Sequence, residues 1–82
     1  MPKATLYRVK TPHKNCLRLR MLPRFNAQVI GFITDRTELQ IQYVKDGWGF
    51  TIYEGNPGWV YMRYLKKKLV LNIFNRKENS DV

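Results

Sequence analysis

The sequence predicts an all-β domain, a small antiparallel barrel of five to seven short strands. Three observations point there. Apolar and polar residues alternate with period two in CLRLRM (16–21) and LQIQYV (39–44); glycine, proline and asparagine punctuate the chain between Leu22 and Gly58; and nothing before residue 60 carries the spacing of an amphipathic helix. At 82 residues the chain is one domain, and a domain of that size hides only roughly 60 to 65% of the surface its unfolded chain exposes. Its core must therefore be tight and rich in large side chains. A composition of 44% hydrophobic and 13% aromatic residues is too apolar for intrinsic disorder. No apolar run approaches the roughly 18 residues that read as a membrane span.

Taken in order, ATLYRV (4–9) is a candidate additional strand at the edge, and TPHKNC (11–16) is turn-like. CLRLRM sends Leu17, Leu19 and Met21 to one face and Arg18 and Arg20 to the other, a half-buried strand with a basic outer side. LPRFNA is a loop, and QVIGFI (28–33) is a β-branched run that ends in the turn-like TDRTE. LQIQYV places Leu39, Ile41 and Tyr43 opposite Gln40 and Gln42, and the KDG that follows suits a tight hairpin because glycine tolerates positive φ. WGFTIYE (48–54) and GWVYM (58–62) are two more strands, with the reversal expected in GNPG. Residues 1–65 make the barrel, with its basic N-terminal strand. The remainder, 66–82, is a basic tail whose apolar run from Leu69 to Phe74 suits an extra strand or a short helix, with a polar end that frays from Lys77.

The formal charge is +9 and unevenly spread. Residues 1–24 hold seven basic residues and no acid, 25–65 sum to −1, and the tail from Lys66 restores +3. Such a field suits polyanionic partners, whether nucleic acid, an anionic wall polymer or an acidic protein surface; solubility alone is the bland alternative. Cys16 is the one cysteine, which excludes an internal disulfide and a thiolate-rich metal centre. Its pairing with His13, three residues earlier, lacks a third group to orient the imidazole. The six acids sit mostly in predicted turns or in the tail, there is one histidine, and no glycine-rich phosphate loop is present, so the chain reads as no enzyme, with neither cofactor nor metal. MPKATLYRVK carries no continuous apolar segment of the kind a secretory signal needs, so the expected location is cytoplasmic, and the cell wall only after lysis or export by another route.

Residues 17–65 resemble the bacterial Src-homology-3-like (SH3b) domain. The resemblance rests on LRLR with Pro23, VIGFI at 29–33, TELQIQYV at 37–44, DGWGFTI at 46–52 and GWVYMRYL at 58–65, five pieces in the family's order across 49 of the 82 residues. It implies an SH3-like barrel in which Trp48, Trp59 and Val60 lie at strand starts and pack the interior. It also implies a non-catalytic module that binds a peptide, most often a stem or cross-bridge peptide of peptidoglycan. The chain departs from the family after Arg20, where Met21, Leu22, Pro23 and Arg24 replace a small polar turn.

Under the wall-peptide reading, Tyr7, Phe25, Trp59, Tyr61 and Tyr64 are the candidate stacking contacts, with Arg18, Arg20 and Arg24 reaching carboxylates; Tyr7 and Phe25 equally suit packing at the end of the barrel. Under a second reading, a small phage-like or mobile-element protein uses the same arginines and the basic patch Lys66, Lys67 and Lys68, around an apolar centre of Met21, Leu22 and Phe25, to bind and inhibit an acidic or nucleic-acid-processing host protein. Direct nucleic-acid binding is a third. Oligomeric state leaves no trace in the sequence.

Overall fold

A computed structural model of the chain describes residues 4–68. Seven antiparallel strands form one sheet: β1 (Thr5–Val9), β2 (Leu17–Arg20), β3 (Val29–Ile33), β4 (Glu38–Lys45), β5 (Trp48–Tyr53), β6 (Asn56–Tyr61) and β7 (Leu65–Lys67), in the order β3-β2-β6-β5-β4-β1-β7. Pro12–Lys14 is a tight turn in which His13 and Lys14 take positive φ (56° and 57°), Met62–Tyr64 is a single turn of 3-10 helix, and no helix among the described residues is long and apolar enough to cross a membrane. The apolar run at 69–74 and the rest of the tail lie outside the described residues.

Local chemistry places the hairpins. Asp46 and Gly47 (φ 50° and 84°) join β4 to β5, and Glu54 and Gly55 (φ 50° and 82°) join β5 to β6. Consecutive positive φ values are the signature of the two-residue turn whose twist matches that of the flanking strands. The second reversal therefore falls just before the proline: Asn56 and Pro57 already belong to β6, because proline, locked near −65°, cannot take a positive φ. Pro57 faces Ile52. That is the non-hydrogen-bonded position next to the flanking pair Tyr53–Asn56, so the missing N–H weakens no bond in this ladder.

The core collects Val9 from β1, Leu17 and Leu19 from β2, Ile33 from β3, Leu39 and Ile41 from β4 and Val60 from β6, all at most 4% exposed. β3 and β1 stand five places apart in the strand order, yet both feed this one cluster, so the sheet must curl around it. Among the described residues the hydrogen-bonded ladder stays open, with β3 and β7 as its edges. Register shifts between Leu19 and Arg20 and between Ile41 and Tyr43 supply the bends that bulges provide.

Those shifts also reverse two predicted orientations. Met21, expected inside with Leu17 and Leu19, is 52% exposed, because the chain leaves the strand beyond the first bulge. Tyr43 was expected inside with Leu39 and Ile41, but the second bulge moves it one place out of phase and it is 55% exposed. Beside this bulge the fully buried Thr51 hydroxyl donates to the Gln40 carbonyl at 2.8 Å.

β1 is not an edge strand. It lies between β4 and β7, and β7 carries the sheet past residue 65, pairing Tyr7 with Lys67, Arg8 with Lys66 and Val9 with Leu65.

Candidate functional site

The two tryptophans explain the site. In the β5–β6 ladder Trp48 faces Tyr61 and Phe50 faces Trp59, while Gly49 faces Val60 and Thr51 faces Gly58. Val60 and Thr51 are fully buried, so the strand alternation turns Gly49 and Gly58 inward and the rings of Trp48, Phe50, Trp59 and Tyr61 outward. A Cβ on Gly58 would stand 2.8 Å from Leu19 Cγ and 2.9 Å from the Arg20 carbonyl oxygen, and one on Gly49 would stand 2.9 Å from Ile41 Cγ2. The inner face is thus too close-packed for a side chain at either of these glycine positions. This corrects the expectation that both tryptophans fill the interior: Val60 does, at 0% exposure, but Trp48 and Trp59 belong to the opposite face of the sheet.

Trp48 is nonetheless only 6% exposed, because a loop covers it. Residues 21–28 close on themselves through the Met21 N–H to the Gln28 carbonyl (2.9 Å), the Arg24 N–H to the Leu22 carbonyl (2.8 Å) and the Ala27 N–H to the Arg24 carbonyl (3.2 Å). The Arg20 guanidinium ties the loop to β2 by donating to the Ala27 carbonyl at 3.0 Å. From the loop Phe25 packs edge-on against Trp48 (centroids 4.9 Å) and Tyr61 (4.7 Å), and Tyr61 in turn meets Tyr64 at 5.8 Å. These are the favoured separations and tilts for aromatic pairs. Phe25 still leaves 60% of its surface to solvent.

The four rings wall a cleft of about 210 Å³. Its other side is the connection between β1 and β2, with Thr11, Pro12, Asn15 and Cys16, and its charged lining among the described residues is Arg18 and Arg20, with no carboxylate. The cleft is aromatic and cationic.

Of the residues singled out from the sequence, Arg18, Arg20, Phe25, Tyr61 and Tyr64 meet in this cleft. Arg24 is exposed on the covering loop outside it. Tyr7, on β1, is half-buried against the core. Trp59 belongs to a neighbouring ladder on the same face, where Tyr43 stacks on Phe50 (5.3 Å) and Trp59 meets both rings edge-on (5.5 and 5.4 Å). Sequence reasoning missed Trp48 as a cleft wall and the contribution of residues 11–16. The turn-like TPHKNC announced a loop; only the fold says what it faces.

Lys66, Lys67 and Lys68 line a second and larger depression, about 750 Å³, on the β1–β7 side of the sheet. Arg8, Lys10, Lys14 and Arg36 join them there. His13 lies in this depression and Cys16 in the aromatic cleft, so the two share neither. Asp35 accepts from the Thr11 N–H at 2.8 Å and from the Thr11 hydroxyl at 3.3 Å, and that backbone hydrogen bond above all lowers its carboxyl below the ordinary 3.8, against a smaller opposing effect of burial. Glu38 takes Lys68 and Arg8 together, the latter at 3.0 Å, and the hydrogen bond from Lys68, followed by that from Arg8, lowers it from 4.5. No group of three or more potential metal ligands exists among the described residues.

No protein-family model matches the chain, and a search of curated proteins finds no match either.

Proposed function

We propose that this chain is a non-catalytic binding module that holds an extended peptide in the cleft between the 21–28 loop and the β1–β2 connection. The observation that carries the reading is the cleft itself: Phe25, Tyr61 and Tyr64 beside a buried Trp48, with Arg18 and Arg20 as its charged members. Flat rings give contact area at low entropic cost, and two guanidinium groups suit a ligand with carboxylates, which arginine grips in bidentate fashion. At about 210 Å³ the cleft is smaller than a typical small-molecule pocket and fits one or two residues of a longer chain lying across it. The SH3b resemblance suggests the stem peptide of peptidoglycan, which carries free carboxylates, as the ligand.

The test is co-sedimentation with peptidoglycan sacculi stripped of anionic polymers, at low and high salt, for the wild type and for Phe25→Ala. Pelleting that resists salt and is lost in the variant is the expected result. Absent pelleting, or pelleting that salt abolishes, removes the wall peptide as ligand.

One observation favours a second reading. Met21 (52%), Leu22 (42%) and Phe25 (60%) are exposed on the same loop, with Arg18, Arg20 and Arg24 close by in the chain. An apolar centre among cations is the pattern of a contact with an acidic protein surface. In that case an acidic protein competes for the cleft and sacculi do not.

A further inference from the structure

The aromatic cleft uses two of the cations and leaves most of the charge without a role. Along the β1–β7 edge the register brings residues distant in sequence side by side, Arg8 opposite Lys66 and Tyr7 opposite Lys67. Backbone hydrogen bonds then lock the surroundings: the Lys10 N–H to the Tyr64 carbonyl (2.8 Å), the Arg36 N–H to the Val9 carbonyl (2.8 Å) and the Lys68 N–H to the Leu6 carbonyl (3.0 Å). Thr11, clamped to Asp35, fastens the β1–β2 connection to the turn that carries Arg36. The result is a depression of about 750 Å³ whose backbone is held in place before any ligand arrives.

Its electrostatics are one-sided. Glu38, at its margin, is engaged by Arg8 and Lys68, and Asp35, the acid in its lining, is engaged by Thr11. Lys10, Lys14, Arg36, Lys66 and Lys67 have no carboxylate within ion-pair distance among the described residues. Seven cations against the two carboxylates leave a net charge of +5, more than one phosphate could neutralise. Among the described residues the lining holds no Phe, Tyr or Trp; its one ring is the His13 imidazole, and its one aliphatic side chain, Val9, is fully buried. Protein interfaces centre on well-buried anchors, most often aromatic, and base stacking on a platform of several rings, which one imidazole does not make; a row of phosphates needs neither.

We propose that this depression binds the phosphate backbone of nucleic acid, without reading its sequence, as a site separate from the aromatic cleft. Such binding weakens with salt in proportion to the number of phosphates neutralised. Five engaged cations give a log-log slope of about −4.5 on duplex DNA, a loss of about 500-fold in affinity between about 50 and about 200 mM salt.

The experiment is fluorescence anisotropy with a labelled duplex of about 20 base pairs and arbitrary sequence, titrated across that salt range. Three proteins are compared: the wild type, Lys10→Gln with Lys66→Gln and Lys67→Gln, and a control that removes equal charge elsewhere, Arg24→Gln with Lys45→Gln and Arg63→Gln. Melting curves check that each is folded. The expected result is a slope reduced to about −1.8 in the depression variant and little change in the control. Equal weakening in both would make the effect one of net charge and overturn the site. So would unchanged binding in the depression variant, no binding by the wild type at the lowest salt, or equally effective competition by polyglutamate, which would point to an acidic protein instead. Phe25→Ala is expected to bind DNA as the wild type does, so failure of the peptide reading and failure of this one are told apart.

Discussion

Gly58→Ala puts the close contact of β6 with β2 to the test. The added methyl would stand 2.8 Å from both Cδ1 and Cγ of Leu19 and 2.9 Å from the Arg20 carbonyl oxygen, all closer than carbon tolerates. Leu19 is 1% exposed and packed in the core, and the carbonyl is part of a paired strand, so neither can move aside cheaply. Overpacking of this kind costs up to about 3 kcal/mol. The reduced freedom of the unfolded chain returns about 0.4 to 1 kcal/mol, since Gly58 does not sit at positive φ. The net loss is about 2 kcal/mol, or about 8 to 16 °C in melting temperature for a domain of this size. Gly31→Ala is the matched control: its methyl approaches the same Leu19, but at an ordinary 3.6 Å, and should leave stability unchanged or slightly raised. Thermal and urea unfolding of both variants, and of Gly58→Ala combined with Leu19→Ala, complete the experiment. Removing the leucine's outer atoms should make the second change cheaper by about 1 kcal/mol or more. A Gly58→Ala protein as stable as the wild type, or additive losses in the pair, would refute the claim that the inner face has no room for a side chain at position 58.

Trp48→Ala should cost about 3 to 5 kcal/mol, as loss of a buried large ring does. Phe25→Ala, at 60% exposure, should cost far less while abolishing peptide binding; equal losses of stability by calorimetry would contradict the division between buried wall and exposed contact. Arg18→Ala should leave the melting temperature unchanged, whereas Arg20→Ala should lower it by an amount matching about 1 to 2 kcal/mol, because Arg20 alone holds the Ala27 carbonyl. Equal melting temperatures would refute that tie. Thr51→Val removes the hydroxyl bound to the Gln40 carbonyl and should cost about 1 kcal/mol in urea unfolding; a stabilised variant would mean that bond is dispensable. Asp35 and Glu38 both titrate lower in the folded chain than in the unfolded one, so the unfolded state takes up protons first as pH falls. Their contribution is complete above the ordinary values and lost as pH falls through the lowered ones, so the fall in melting temperature below about pH 4.5 should be shallower in Asp35→Asn with Glu38→Gln. An unchanged slope would count against both interactions.

Much of the fold was legible because its causes are local. Period-two alternation located β2 and β4, and Asp46-Gly47 announced a turn that needs positive φ. The second hairpin was misplaced by two residues because proline was read as the turn itself, when Glu54-Gly55 make the turn and Asn56 and Pro57 already belong to the returning strand. Half of the cleft was legible for the same reason: Arg18, Arg20, Phe25, Tyr61 and Tyr64 were chosen as outward or aromatic residues. Tyr7 and Trp59 were chosen on the same grounds and lie elsewhere, since residue type does not reveal which neighbour a ring meets.

The sequence by itself determined that this is a small all-β chain of alternating strands and tight turns with its basic residues gathered towards the two ends. Alternation assigns residues to two faces, but it does not say which face becomes the core, and a single bulge exchanges them, as at Tyr43. Tertiary structure decided that Gly49 and Gly58 turn inward and the tryptophans outward, because only the approach of β2 and β4 leaves no room for a side chain there. It also decided which cations act together. Arg8 and Lys66 are 58 positions apart and become neighbours only when β7 pairs with β1, since charge carries no long-range instruction until the backbone ladder fixes its place.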